Sequence, residues 1–244
     1  MGQQNFKDIV VMKDLTGYLS LNEMDRIIAA AKNERDVLIL KLLRSSGRRI
    51  TEIVGRRHEY HHKYKYKEEI KEKTYPIIKA LTPQDIIEKD DKGITNKMIR
   101  FNILKKKTLI TKLKPVDDET FELLKDYITK HNIPKDEPIF NLSRVRVFQI
   151  VRECAKRAGI GLVGIKEPHP HHFRHSFAVN VIQHSKDPAA LRKVQMALEH
   201  SSLNVTAGYM QFNQEDLRNM INETFKKRKE EDENGKKKDK INTA

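Results

Sequence analysis

Cysteine is nearly absent from this 244-residue chain. Cys154 is its single example, so no intrachain disulfide framework can form, and a reducing compartment is the expectation. Long apolar runs are missing too. The longest, Val37 to Leu43, is broken by Lys41 and is far too short to span a bilayer. The N-terminus has no signal-peptide pattern. Together these features predict an intracellular, cytoplasmic, nucleoid-associated protein. Acidic residues are also in deficit: 34 Asp+Glu face 48 Lys+Arg, a formal charge of +14. That balance favours a polyanionic partner. Nucleic acid comes first. A membrane surface comes second, without a long basic amphipathic helix to support it.

The helical signals are clear at the start. Ser20-x-x-Glu23 is a capping-box pattern, and Leu21, Met24, Ile27 and Ile28 follow at helical spacing. A second helix is expected from about Glu34 to Arg44, stopped by Ser45-Ser46-Gly47. A third, short helix should carry Arg49, Glu52 and Ile53. Residues 56 to 73 have a different texture. Arg56, Arg57, Lys63, Lys65, Lys67, Lys71 and Lys73 alternate with Tyr60, Tyr64, Tyr66, His58, His61 and His62. Apolar periodicity is nearly lost, which predicts an exposed loop or extended segment. Cations mixed with aromatics suit nucleic acid, and a solvated polar excursion accounts for them equally. The three histidines have no thiolate partner nearby, so no metal site is assigned to them.

From about residue 80 to 116 the pattern turns to strands. Ile86 and Ile87 mark one, Met98 to Leu104 a second, and Leu109 to Val116 a third. Lys105, Lys106 and Lys107 form the turn between the last two. Helices are expected at 119–130, 143–158, 172–185, 188–198 and 214–226. Cys154 falls on the apolar side of one of them and is read as packing. Residues 226 to 240 hold eight Lys/Arg and five Asp/Glu, a composition that predicts a disordered charged tail. The fold class is therefore mainly α with a small antiparallel β-sheet, an α+β arrangement.

Two stretches carry the chemistry. One reads His171-His172-Phe173-Arg174-His175, and the other Leu198-Glu199-His200-Ser201. Tyr209 lies nine residues after His200. These resemble the two C-terminal boxes of the tyrosine recombinases, the family of phage integrases and Xer-type resolvases. The family's first box resembles Gly47-Arg48-Arg49-Ile50-Thr51-Glu52-Ile53, in a register that matches Arg49 rather than Arg48. Such residue types suit metal-free cutting of a phosphodiester. A tyrosine hydroxyl, with a pKa of about 10, is a weak nucleophile that needs help. Arginines hold phosphate oxygens bidentately and stay charged. Histidines exchange protons near neutral pH.

The resemblance implies an activity: site-specific cleavage and rejoining of double-stranded DNA through a 3′-phosphotyrosyl intermediate, without a cofactor or metal. It implies Tyr209 as nucleophile, Arg49 and Arg174 on the nonbridging oxygens, and a hydrogen bond from His200. It also implies His171 as helper in removing the tyrosine proton. Glu52 would buttress Arg49, and His175 would be structural. His169 and His172 are read as packing or surface residues. Counting back eight residues from Pro115 gives Lys107 as the acid for the leaving oxygen, with Lys105 and Lys106 as neighbouring alternatives. Arg56, Arg57, Lys63, Lys65, Lys67, Lys105 and Lys106 are candidate DNA contacts.

The implied organisation is a lead at 1–19, a catalytic domain at 20–225 with an insertion at about 56–79, and the tail at 226–244. Glu199 departs from the family glycine. Only 48 residues precede Arg49, leaving no counterpart of the family's N-terminal core-binding domain. The expectation is either an isolated catalytic domain or a compact protein. Self-association as a dimer or tetramer on DNA is expected through the helix near Gln214 to Phe225. Two alternatives stay open: a type IB topoisomerase, and a DNA-binding regulator with a dead site.

Overall fold

The architecture is organised around one apolar helix. A computed structural model describes residues 17–66, 69–89, 95–105, 108–164, 166–185 and 189–198. These all fall within one compact unit, residues 1–206; a second unit, 207–244, lies outside the described residues. The expected helix 214–226 and the charged tail belong to that second unit.

Helix α1 spans Leu21–Ala29 and starts in a full capping box. The Glu23 backbone N–H donates to Ser20 Oγ, and the Ser20 N–H donates to Glu23 Oε2 at 2.8 Å. Helix α2, Glu34–Ser46, carries Leu38, Ile39, Leu40, Leu42 and Leu43, all essentially inaccessible. Apolar residues on nearly every side make it an interior helix. Gly47 ends it in the left-handed conformation at φ 59°, as expected for a C-terminal cap. A Cβ there would lie 2.6 Å from Phe177 Cδ1, so glycine is required for the backbone and for the space. Helix α3 is a single turn, Ile50–Ile53, with Arg49 at its N-cap.

Residues 56 to 73, expected as an exposed loop or extended segment, take the extended alternative and pair as an exposed hairpin. Strands β1, Tyr60–Tyr66, and β2, Glu69–Tyr75, pair antiparallel from Tyr60↔Tyr75 to Tyr66↔Glu69. Tyrosine favours the pleated backbone, and the alternation is real, but it alternates aromatic with basic residues rather than apolar with polar. The root is closed by an isolated bridge between Arg56 and Ile78. Gly55, at φ 73°, sits where a Cβ would lie 2.6 Å from the Ile78 carbonyl oxygen.

A second, three-stranded sheet has the order β3-β4-β5, with β3 Ile86–Lys89, β4 Thr95–Lys105 and β5 Thr108–Pro115. Central strand β4 points Ile99, Phe101 and Ile103 into the core, while Arg100 stays exposed, the period-2 pattern of a one-sided sheet. Helices α4, Asp118–Lys130, and α5, Arg144–Arg157, each begin at a side-chain cap, from Asp117 and Ser143. Cys154 is fully buried on α5. Helix α6, Pro170–His184, packs on α2, and α7 spans Ala190–Leu198. Asn180 and Ser176 of α6 bind the backbone of Leu19: the Leu19 N–H donates to Ser176 Oγ at 2.7 Å, and Asn180 Nδ2 donates to the Leu19 carbonyl at 2.9 Å. These bonds fix α6 against the chain entering α1. Among the described residues, no helix is long and apolar enough to cross a membrane.

Candidate active site

Three helix ends meet here: the C-terminus of α2, the N-terminus of α6 and the C-terminus of α7. Arg49 leaves the α2–α3 junction with its side chain 39% exposed. Its Nη1 donates to Glu52 Oε1 at 3.0 Å, and its backbone N–H donates to Glu52 Oε2 at 3.2 Å. Glu52 is buried, at 1% exposure. A buried carboxylate held by an arginine and a backbone donor fixes the guanidinium in one orientation.

Arg48, which sequence reasoning passed over, is the larger surprise. It is 1% exposed and lies 3.6 Å from Glu52 Oε2. Its guanidinium carbon sits 5.9 Å over the Phe101 ring, and its Nη2 donates to the Ala197 carbonyl. The available signal was its i,i+4 spacing from Glu52 beside an adjacent arginine.

Arg174 rises from the first turns of α6 and is 4% exposed. Its Nη1 donates to the Gly47 carbonyl at 2.9 Å, and its Nη2 to the Leu198 carbonyl. Lys114 of β5 donates to the carbonyl of Met196 at 3.1 Å. Three successive carbonyls at the end of α7 therefore each accept from a cation. The last carbonyls of a helix lack intrahelical partners and carry the negative end of its dipole, so cations stabilise them doubly. This clamp fixes the chain two residues before His200.

His171 lies on the exposed side of α6. Desolvation by the protein around it, then the charges of Arg174, Arg49 and Arg144, lower its pKa below the ordinary histidine value. Its imidazole is therefore neutral near pH 7 and able to accept a proton. Arg174 reaches the Gly47 carbonyl, two residues before Arg49, and His171 stands three residues before Arg174 on the same helix. Arg144, at the start of α5, which the sequence reading missed, adds to the charge acting on His171. His172 is buried and stacked on His169, with ring centroids 3.9 Å apart. Burial, then the charges of His169 and His175, push its pKa down to about 4. His175 stacks on Tyr18 at 6.5 Å, and burial lowers its pKa.

Of the other candidates, Arg56 serves the root of the β1–β2 hairpin. Its Nη1 donates to the Pro76 carbonyl at 2.9 Å, and its guanidinium lies 5.1 Å over Tyr75. Arg57 is exposed and donates to Asn141 Oδ1. Lys63 and Lys65 are exposed on β1. The β4–β5 hairpin pairs through Lys105↔Thr108. The Lys105 side chain, Lys67, Lys106, Lys107, Glu199, His200 and Tyr209 lie outside the described residues. Among the described residues, no group of three or more His, Cys, Asp or Glu is placed to hold a metal ion.

The phage integrase family model matches residues 85–216, more than half of the chain. The chain belongs to the phage integrase family. Its sequence is 27% identical over 222 residues to the tyrosine recombinase XerA of Pyrococcus horikoshii, covering 89% of this chain and 65% of that protein. It is 29% identical over 192 residues to the tyrosine recombinase XerC of Staphylococcus saprophyticus, covering 78% of this chain and 53% of that one. The chain thus spans less than two thirds of these relatives' length. In fold, it superposes on the crystal structure of XerA recombinase with a TM-score of 0.57 at 21% identity, over 85% of this chain and 62% of that one. It superposes on XerH site-specific recombinase, in a post-cleavage complex with palindromic difH substrate, with a TM-score of 0.59 at 19% identity, over 85% and 53%. The fold is that of a tyrosine recombinase catalytic domain: mainly helical, with small antiparallel sheets.

Proposed function

We propose that this chain cuts and rejoins double-stranded DNA through a 3′-phosphotyrosyl intermediate. The observation that carries the reading is that Arg174 joins the junction that carries Arg49 to the end of the helix that leads to His200, through the Gly47 and Leu198 carbonyls. Tyr209 Oη attacks the scissile phosphorus. Its proton passes to His171, whose lowered pKa leaves the imidazole neutral and accepting. The bond from phosphorus to the 5′-oxygen breaks, and Lys107 supplies the proton that this oxygen takes up. Rejoining is the reverse: a 5′-hydroxyl attacks the phosphotyrosine and Tyr209 leaves. Bond energy is conserved in the ester, so no nucleotide cofactor is consumed.

Arg49 suits the phosphate because Glu52 aims it while its guanidinium stays accessible. Arg174, anchored on the Gly47 and Leu198 carbonyls, adds a second fixed cation. With His200 it completes a preorganised positive cradle for the phosphorane, the kind of electrostatic term that dominates many rate enhancements. Arg57, Arg144 and the lysines of the β4–β5 turn add backbone contacts. The helix near Gln214 to Phe225, with Leu217, Met220, Ile221 and Phe225 at helical spacing, docks on a neighbouring protomer to give a dimer or tetramer on DNA.

The test is a nicked duplex that traps the intermediate, resolved on a denaturing gel. The wild type should form a shifted covalent band, and Tyr209→Phe should form none. An adduct in Tyr209→Phe would overturn the assignment. Absence of any adduct with the wild type would leave a DNA-binding regulator. Supercoil relaxation without recombinant products would point to topoisomerase-like action.

A further inference from the structure

The β1–β2 hairpin has two unlike faces. Residues directly opposite in an antiparallel pair share a face, so the register Tyr60↔Tyr75, His62↔Lys73 and Tyr64↔Lys71 defines one of them. Its rings form a continuous ladder. Tyr75 to Tyr60 is 5.9 Å between centroids, Tyr60 to His62 is 6.1 Å, and His62 to Tyr64 is 5.8 Å, with interplanar angles of 31°, 23° and 15°. Two cations sit over the inner ring: Lys73 Nζ at 4.9 Å from the Tyr75 centroid and the Arg56 guanidinium at 5.1 Å. Tyr60 is 51% exposed and Tyr64 39%.

The opposite face pairs His61 with Thr74, Lys63 with Glu72 and Lys65 with Ile70. There the polar groups answer one another: His61 Nδ1 lies 3.1 Å from Thr74 Oγ1 and 3.3 Å from Glu72 Oε1. Structural need does not account for the ladder. A row of exposed rings on a ribbon away from the core buries little area, and large exposed aromatic arrays mark binding surfaces.

We infer that the Tyr60–His62–Tyr64–Tyr75 face is a platform for unpaired DNA bases, with Lys71 and Lys73 taking the phosphates that link them. This rests on the proposed strand cleavage, which releases a 5′-ended strand that must be held away from its complement before it is rejoined. Three observations select a single strand as the occupant. Nearly parallel rings at a regular 5.8–6.1 Å offer successive π-faces, and stacking on such rings tolerates any base. Cations stand on the same face at the paired positions, where a backbone tracking the ladder would pass. Glu69, at the outer end, is 3.8 Å from Lys71 in an exposed pair, an interaction weak enough to exchange for a phosphate. The platform also starts beside the catalytic patch. Its root, the Arg56↔Ile78 bridge, follows directly on the single turn of α3 that Arg49 caps, so the ladder is rooted next to the arginine assigned to the phosphate.

The experiment uses the full chain and fluorescein-labelled oligo(dT). The chain has no tryptophan and seven tyrosines, so tyrosine quenching reports stacking directly alongside anisotropy. Oligo(dT) should quench tyrosine emission. Tyr60→Ala with Tyr64→Ala should weaken oligo(dT) binding at least about tenfold and abolish most of the quench. Lys71→Gln with Lys73→Gln leaves the rings in place and should lower the log–log salt slope by about 1.4. Lys63→Gln with Lys65→Gln, candidate duplex contacts on the other face, should change oligo(dT) affinity by less than about threefold. Circular dichroism verifies that each variant is folded. Equal losses from the two lysine pairs, or unchanged affinity without the tyrosines, would overturn the platform. So would a wild type that forms the covalent adduct with nicked duplex yet does not bind oligo(dT). Face-dependent oligo(dT) binding without any adduct would instead remove the cleavage reading and leave the platform standing.

Discussion

Arg174 and Leu198, 24 residues apart, are joined by a hydrogen bond from the Arg174 Nη2 to the Leu198 carbonyl, while the same guanidinium holds Gly47. One side chain thus fixes the end of α7 relative to the junction that carries Arg49. Lysine keeps the charge but has no planar fork, so it cannot bridge both carbonyls in this geometry. Arg174→Lys should lower stability by about 2 kcal/mol and reduce adduct formation on nicked DNA by more than an order of magnitude. Thermal melting and gel quantification read the two effects separately. Near wild-type cleavage in Arg174→Lys would mean that charge alone suffices.

Glu52 serves two arginines at once, lying 3.0 Å from Arg49 and 3.6 Å from Arg48. Removing its charge leaves the buried Arg48 cation poorly compensated, and breaking a buried pair typically costs 3–5 kcal/mol. Glu52→Gln keeps the shape and can still accept one hydrogen bond, so a loss of about 3 kcal/mol is expected. Slackened aim of Arg49 should add a 10- to 100-fold loss in cleavage. Denaturant titration, and adduct yield under conditions where the variant is folded, check both. A folded Glu52→Gln with full cleavage would show that Arg49 orients itself.

Most of the fold was legible because its signals are local. The capping box at Ser20, the α2 apolar run with its glycine stop, and the alternation along β4 each follow from a few neighbouring residues. The hairpin at 60–75 was harder. Strand periodicity is usually read as apolar against polar, and here both faces are polar and solvated, so only register exposes the aromatic ladder. The candidate site was legible as residue types in chain order but not as packing. The i,i+4 spacing pairs Arg48 with Glu52, but it does not say that Arg48 goes inside while Arg49 faces out. That choice depends on the carbonyl of Ala197, 149 residues away, and on the buried Phe101 ring. Arg144 was invisible for the same reason, since its effect on His171 is long-range.

Lys107 is tested through the leaving atom. A 5′-oxygen departs slowly without a proton, whereas a sulfur in its place leaves as a thiolate. Lys107→Ala should cut ordinary nicked DNA severely more slowly, and a 5′-bridging phosphorothiolate should restore much of the rate. The same substrate should not rescue Arg49→Ala, whose defect lies in charge stabilisation. Sulfur rescue in Lys105→Ala or Lys106→Ala instead would move the acid to that neighbour.

Acid should loosen the start of α6, and His172 supplies the clearest part of that dependence. Its pKa is about 4 in the fold against 6.5 for the ordinary side chain. The folded state therefore binds the proton less readily than the unfolded chain. The stability tied to the neutral imidazole is fully present above pH 6.5 and is lost as pH falls through the window down to 4. The span is at most about 3 kcal/mol. The neutral ring is also needed locally, because the His169 backbone N–H donates to His172 Nδ1 at 3.3 Å. Protonating that nitrogen removes the acceptor and places a cation at a helix N-terminus, where the dipole opposes it. His172→Gln keeps an acceptor and cannot titrate. Its melting temperature should fall less steeply with acid between pH 6.5 and 4 than that of the wild type. Some slope should survive, since burial also lowers His169, His171 and His175. Identical slopes for the two proteins would assign the acid sensitivity to those three residues and exclude His172 as its source.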